Sequence, residues 1–258
     1  MKKNSINNKL NFSNYRIAII GLGYVGLPLA VEFGTKYKTI GYDLKEKRIN
    51  ELKKKIDLNK EISKSSFKNS KNITFTNDKK KLSNCNVYII TVPTPINKKN
   101  IPDLTFIFEA SALVGKNLKD QDIVIYESTV FPGTVEEYCV PILKKKSKLN
   151  YLKNNNKNQK GFYCGYSPER INPGDKKHTL KTIKKVVSGS NKHSTKIINL
   201  LYKSIIPAGT FIADSIQVAE AAKVIENTQR DLNIAFFNEL SLIFKKLKID
   251  SNAVFKAA

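Results

Sequence analysis

Arg16-Ile-Ala-Ile-Ile-Gly21-Leu-Gly23-Tyr24-Val25-Gly26 is an apolar run that feeds directly into G-x-G-x-x-G and continues as a helix-like stretch through Phe33. In that context the glycines have separate tasks. Gly21 permits a tight turn, Gly23 lets the backbone approach a pyrophosphate, and Gly26 lets the helix pack on the strand, while the helix N-terminus offers free N–H groups to phosphates. The fingerprint alone is weak evidence, and the next strand strengthens the reading. That second strand, at 38–42, ends in Asp43, which stands 20 residues after Gly23. An acid there accepts the ribose hydroxyls of NAD and repels the 2′-phosphate of NADP. Arg48, on the following helix, either stacks near the adenine or lies on the helix surface.

Outward from this stretch, short apolar runs at 17–20, 39–42, 87–92 and 123–126 alternate with longer segments of helical character. Such alternation predicts βαβ units and an α/β, Rossmann-like, doubly wound and mostly parallel sheet. The run at 87–92 enters Pro93-Thr94-Pro95, and that at 123–126 enters Glu127-Ser128-Thr129. Ligands in such sheets bind beyond the carboxyl ends of the strands, so these hydroxyls belong to the same crevice. The polar stretch 153–161 reads as a surface loop, followed by strands near 162–165 and 186–188. The first of these ends in Gly165-Tyr-Ser-Pro-Glu169-Arg170-Ile-Asn-Pro-Gly174, where a carboxylate and a guanidinium sit side by side in a Gly/Pro-rich loop. That pairing suits a charged or hydroxyl-rich ligand. From 215 to 247 no Pro or Gly interrupts a long helix. Glu220, Lys223, Asn227, Asp231 (or Arg230) and Asn238 share one of its faces, and Ile225, Leu232, Phe236, Leu240, Ile243 and Phe244 supply apolar surface. Lys223 and Asn227, one turn apart, can both donate to one oxygen, as a developing alkoxide requires.

The 258 residues carry a net charge of +23, yet only four of the 45 basic residues are arginine, and the lysines are scattered among Asn and Ile. A solvated lysine coat accounts for this better than nucleic-acid binding, which favours Arg or interleaved aromatics. The mean hydropathy of −0.35 and the lack of any apolar run of ~18 residues predict no membrane span. Residues 1–14 read as a disordered polar tail without the apolar core of a secretory signal. Cys85, Cys139 and Cys164 fit neither a disulfide framework nor a zinc site, and read as buried thiols in a reducing, cytoplasmic setting; no metal is expected.

Together IAIIGLGYVGLPLA, TVPTP, ESTVFPGTVE, GYSPERINPG and AEAAKVIENTQRDLNIAFFNEL resemble, in order, the UDP-glucose/GDP-mannose dehydrogenase family, from Arg16 to the last residue. The SPERINPG and NTQRDLNIA forms are most similar to the branch that oxidises UDP-N-acetylhexosamines for bacterial surface polysaccharides. The resemblance implies a two-step oxidation of the sugar C6 alcohol to a carboxylate, with reduction of two NAD. It implies that Gly21, Gly23, Tyr24, Val25, Gly26, Asp43, Arg48, Thr94 and Thr129 hold NAD. Thr129, Glu169, Lys223 and Asn227 would serve catalysis, and Glu169, Arg170, Lys223 and Asn227 would meet the UDP-sugar. It further implies an NAD-binding domain at 15–212 and the start of a central helical, dimerising domain at 213–258. The family's nucleophilic cysteine lies beyond this helix, before a UDP-binding domain, so this chain reads as an N-terminal part, inactive alone, whose other half is encoded separately or missing. A β-hydroxyacid dehydrogenase, which shares a Rossmann domain and a Lys-x-x-x-Asn helix, and an inactive NAD-binding module are the alternatives.

Overall fold

The structure, a computed structural model, describes residues 14–153, 159–170 and 180–258. The polar tail through residue 13, most of the loop expected at 153–161 and positions 171–174 of the SPERINPG stretch lie outside the described residues. The first half alternates strand and helix: β1 (Arg16–Ile20), α1 (Gly26–Phe33), β2 (Lys38–Tyr42), α2 (Glu46–Lys53), α3 (Lys64–Asn69), β3 (Ile73–Thr76), β4 (Val87–Ile90), α4 (Thr105–Gly115) and β5 (Ile123–Tyr126). After a π-helical turn at Thr134–Cys139 come α5 (Val140–Ser147), β6 (Asn150–Tyr151), β7 (Gly161–Tyr166), β8 (Lys185–Gly189), α6 (Lys192–Ile205) and β9 (Thr210–Ile212). The chain closes on α7 (Ile216–Leu247) and α8 (Ser251–Ala257).

The strands form one sheet in the order β3-β2-β1-β4-β5-β7-β8-β9, with β6 paired to β7. All named ladders are parallel except β7 with β8, which meet antiparallel at Gly165↔Gly189 and Tyr166↔Ser188. Why the central strands read as unbroken apolar runs is plain from their partners. Successive residues of a strand point to opposite faces. Thus Ile17, Ile19, Val87, Ile89, Ile123 and Ile125 enter one core layer with Leu27, Phe33 and Leu201. Ala18, Ile20, Tyr88, Ile90, Val124 and Tyr126 enter the other with Ile107, Val114 and Leu143. Helices α1, α2, α3 and α6 cover the first layer, and α4, α5 and the start of α7 cover the second. A sheet buried on both faces demands apolar residues at both parities.

Two boundaries differ from the expectation. The run 87–92 stops being strand at Ile90, because Thr91 turns its hydroxyl onto the carbonyls of Ile20 and Gly21 at 3.1 and 2.8 Å. The long helix starts at Ile216, with Ser215 as its cap accepting from the Val218 N–H at 3.1 Å.

Candidate functional site

Strand order reverses direction between β1 and β4, and beyond their carboxyl ends lies a crevice of about 1400 Å³. Its walls include Gly21, Gly23, Tyr24, Val25, Asp43 and Arg48 on one side, and Thr94, Thr129, Glu169 and Lys223 on the other. Asp43 follows β2 and Glu169 follows β7, four strand positions apart in the sheet, or roughly 19 Å at ordinary strand spacing. A ligand that reached both would be long.

The glycine loop is built as its spacing requires. Gly21 has φ +95°, a left-handed conformation that an L side chain strains to adopt. A Cβ on Gly26 would fall 1.9 Å from the Gly21 carbonyl oxygen and 2.3 Å from Thr91 Oγ1, so α1 can seat against the loop only with glycine there. At Gly23, by contrast, a Cβ would meet nothing within 4 Å. The protein itself does not need glycine at that position, whereas a molecule lying along the loop would. The N-terminus of α1 has no side-chain cap and no acid in its first turn, leaving its N–H groups and positive dipole end to face an anion. Asp43 accepts from the Leu22 N–H at 2.8 Å and the Lys45 N–H at 2.9 Å. A carboxylate has about four lone-pair sites, so acceptor capacity remains for a pair of hydroxyls. These features fit a dinucleotide.

Arg48 lines the crevice rather than lying on the exposed helix surface. It is buried, with Nε donating to the Leu22 carbonyl at 3.0 Å and Nη1 donating to Glu51 at 2.6 Å and Asp57 at 2.8 Å. Together Asp43 and Arg48 grip both the N–H and the C=O of Leu22. Thr94 donates its hydroxyl to the Thr129 carbonyl at 2.7 Å, and Ser128 donates to the Val92 carbonyl at 2.6 Å, which ties the loops after β4 and β5 together.

The chemical end is more heavily charged than the sequence suggested. Lys223 is 7% exposed and, among the described residues, makes no hydrogen bond or ion pair. Burial draws its ammonium below the usual lysine range, against the pull of Glu226 and Glu169. Glu169 accepts from the Arg170 N–H at 2.7 Å and from Lys185 Nζ at 2.8 Å. Lys185 also donates to Glu127 at 2.8 Å, and Tyr202 donates to the other oxygen of Glu127. Sequence reasoning missed Lys185 and Tyr202 and counted Glu127 only as a strand end. The one signal was a lysine opening an otherwise apolar strand.

Two expected residues lie elsewhere. Asn227 is exposed, accepts from Arg230 Nη2 at 2.8 Å and does not line the crevice. Arg170 turns toward α7, with Nε 2.8 Å from Glu226 Oε2 in an ion pair without hydrogen-bond alignment, and it too lies outside the crevice wall. Glu220, fully buried, accepts from the N–H groups of Gly133 at 2.6 Å and Val135 at 2.9 Å, fastening α7 to the turn after β5. The three cysteines are free and buried, and none lines the crevice. Burial pushes the Cys85 and Cys139 thiols up to about 12 and raises Cys164 as well. Among the described residues no cluster of His, Cys, Asp or Glu could hold a metal ion, and no helix is long and apolar enough to cross a membrane.

Comparison with known proteins bears on the same crevice. The chain is 55% identical over 243 residues to UDP-N-acetyl-D-glucosamine 6-dehydrogenase of Salmonella typhi, covering 94% of this chain and 56% of that protein. It is 54% identical to the enzyme of the same name from Pseudomonas aeruginosa, with the same coverage. The solved structure of UDP-D-ManNAc dehydrogenase from Pyrococcus horikoshii superposes with a TM-score of 0.81 at 28% identity, covering 94% of this chain and 57% of that one. The chain thus spans little more than half the length of the relatives it matches. Residues 15–206 match the NAD-binding domain of the UDP-glucose/GDP-mannose dehydrogenase family, which makes the glycine crevice an NAD site, and residues 217–258 match that family's central domain. Because both matches come from one family and follow its domain order, carrying the glycine loop on the first and Lys223 on the second, this chain belongs to the UDP-glucose/GDP-mannose dehydrogenase family.

Proposed function

We propose that this chain supplies the NAD-binding half, and part of the chemical machinery, of a nucleotide-sugar 6-dehydrogenase that oxidises the C6 alcohol of a UDP-N-acetylhexosamine to the uronate. The names of the relatives at 55% and 54% identity favour UDP-N-acetyl-D-glucosamine. The observation that carries the reading is Lys223: a lysine only 7% exposed that makes no hydrogen bond or ion pair among the described residues and lines the crevice with Glu169. Burying a charge without a partner costs several kcal/mol. Such a group is retained where an oxyanion forms during reaction.

NAD, when bound, supplies the hydride acceptor. Asp43 takes the adenosine ribose hydroxyls, the open flank of Gly23 and the uncapped start of α1 receive the pyrophosphate, and Thr94 and Thr129 flank the crevice further along. Lys223 Nζ would donate a hydrogen bond to the C6 oxygen while the Glu169 carboxylate would take the departing proton, directly or through a water. Asn227 and Arg170 join the sugar site only if α7 and the loop after β7 turn them inward. The second oxidation uses a thiolate, and Cys85, Cys139 and Cys164 are too deeply buried and too weakly acidic to provide it. We read 15–212 as the cofactor domain and 213–258 as the beginning of a helical domain that pairs with a second copy. Three free buried thiols suit a reducing cytoplasm.

Calorimetry on the chain is expected to show NAD binding in preference to NADP, weakened about tenfold or more by Asp43→Ala, since a charge-assisted hydrogen bond contributes ~1.5–3 kcal/mol. With NAD and UDP-N-acetyl-D-glucosamine the chain alone is expected to form no uronate, and with the remaining half of the enzyme added in trans it is expected to yield two NADH per sugar. Equal NADP affinity, uronate from the chain alone, or one NADH per sugar in the reconstituted enzyme would overturn the reading.

A further inference from the structure

Buried beneath the chemical end of the crevice is a row of four side chains from four elements. Tyr202 of α6 donates to Glu127 at the end of β5, and Lys185, the first residue of β8, donates to Glu127 Oε2 and to Glu169 Oε2, each at 2.8 Å. The side chains of Lys185 and Glu127 are 5% and 0% exposed, whereas Glu169 is 11% exposed and opens on the crevice. A core ion pair would be complete without the last member. Glu127 alone neutralises Lys185, and Tyr202 satisfies the other Glu127 oxygen. The extra bond from Lys185 to Glu169 is therefore not needed to bury the lysine. Glu127 also lines the crevice, but its side chain is 0% exposed, so the effect falls on Glu169, the more exposed carboxylate of the row.

The geometry points to Lys185 as a positioning residue: its ammonium, anchored from behind by Glu127 and Tyr202, fixes the Glu169 carboxylate in place and favours its charged form. This deepens the function proposed above, in which Glu169 handles a proton or a water. Lys185 does not itself line the crevice, so it acts on the chemistry indirectly, through Glu169. Burial draws the Lys185 ammonium down, but the two carboxylates outweigh it and hold it above the usual lysine range, so it remains a cation. Among the described residues, Lys223 from α7 and the Tyr24 phenol from the glycine loop also bear on Glu169. Both line the crevice with it, and neither replaces a hydrogen-bonded cation at 2.8 Å.

The test tracks the Glu169 carboxyl carbon by NMR in the 13C-glutamate-labelled chain, assigned by its loss in Glu169→Gln, through a pH titration. Removing Lys185 alone would strand Glu127 as an unpaired buried charge, so the variants are Glu127→Gln and the double variant Glu127→Gln/Lys185→Met. In Glu127→Gln, Glu169 is expected to titrate at or below its original pH. In the double variant its midpoint is expected to rise by about one pH unit or more, the effect of losing a cation within ~4–6 Å. Restoring a cation as Glu127→Gln/Lys185→Arg is expected to bring it back down. A midpoint that is the same in the single and double variants, or one that arginine fails to restore, overturns the assignment. No substrate or turnover enters this measurement, so its failure removes only the role of Lys185, whereas failure of NAD binding removes the proposed function and leaves this result standing.

Discussion

A single methyl group can separate the two duties of the glycine loop. Gly26→Ala places a Cβ 1.9 Å from a backbone oxygen that cannot rotate away. The helix must shift, and stability is expected to fall by ~1–3 kcal/mol, as overpacked cores do, together with NAD affinity. Gly23→Ala meets nothing within 4 Å, so its unfolding free energy is expected to stay within ~1 kcal/mol of the parent. Its NAD affinity should nonetheless drop about tenfold, because the new methyl occupies the path of the pyrophosphate. Thermal unfolding and calorimetry on both variants check the split; a Gly23→Ala chain that binds NAD normally would place the pyrophosphate elsewhere. Residues of this kind were legible because their partners lie nearby in the chain or obey a fixed spacing. Lys185 was not. Its partner Glu127 is 58 positions away, and in a chain where nearly all basic residues are lysine, one more lysine carries no information until the fold closes around it.

Among the elements, α7 carries Lys223 onto the crevice wall. Glu220 clamps the turn after β5 through two backbone N–H groups, and its carboxyl is pushed up to about 7, first by burial, with those two N–H groups pulling the other way. An acid whose folded pKa is raised binds its proton more tightly when folded. Its contribution to stability is therefore complete below its ordinary range and is lost as pH rises through about 7. Glu220→Gln removes this dependence, so between pH 5 and 8 the melting temperature of the variant relative to the parent is expected to move in the variant's favour. Parallel pH profiles would refute the clamp's titration. The central strands of the sheet were readable as continuous apolar runs because helices cover both their faces. The edges were not: β3 leaves Thr74 exposed and β9 leaves Phe211 57% and Ile212 49% exposed, so neither reads as a covered strand. The face shared by Lys223 and Asn227 was equally readable. What could not be read was that the buried residues of α7 are Ile216, Ala219, Glu220 and Lys223, so the helix leaves the domain one turn before Asn227.

At the scale of the whole molecule that departure leaves Ile225 68%, Leu232 64%, Phe236 58% and Ile243 49% exposed along one helix. Exposed apolar surface of this extent marks an interface. The purified chain is expected to sediment above its 29.1 kDa monomer mass, and Leu232→Asp with Phe236→Asp to return it to the monomer. A parent chain that is monomeric at micromolar concentration would count against a second copy on α7. The clamp at Glu220 also gives this helix leverage. From Lys223 to Leu247 is roughly 36 Å at 1.5 Å per residue, while Glu220 and Lys223 are only about 4.5 Å apart along the axis. With the fulcrum at Glu220, about 40 Å from Leu247, a 5° tilt would sweep the far end through about 3.5 Å yet carry Lys223 through only about 0.4 Å. Jostling of whatever rests on the distal end therefore reaches the ammonium geared down about ninefold, and the atom proposed to meet a reacting oxygen sits where the lever moves least.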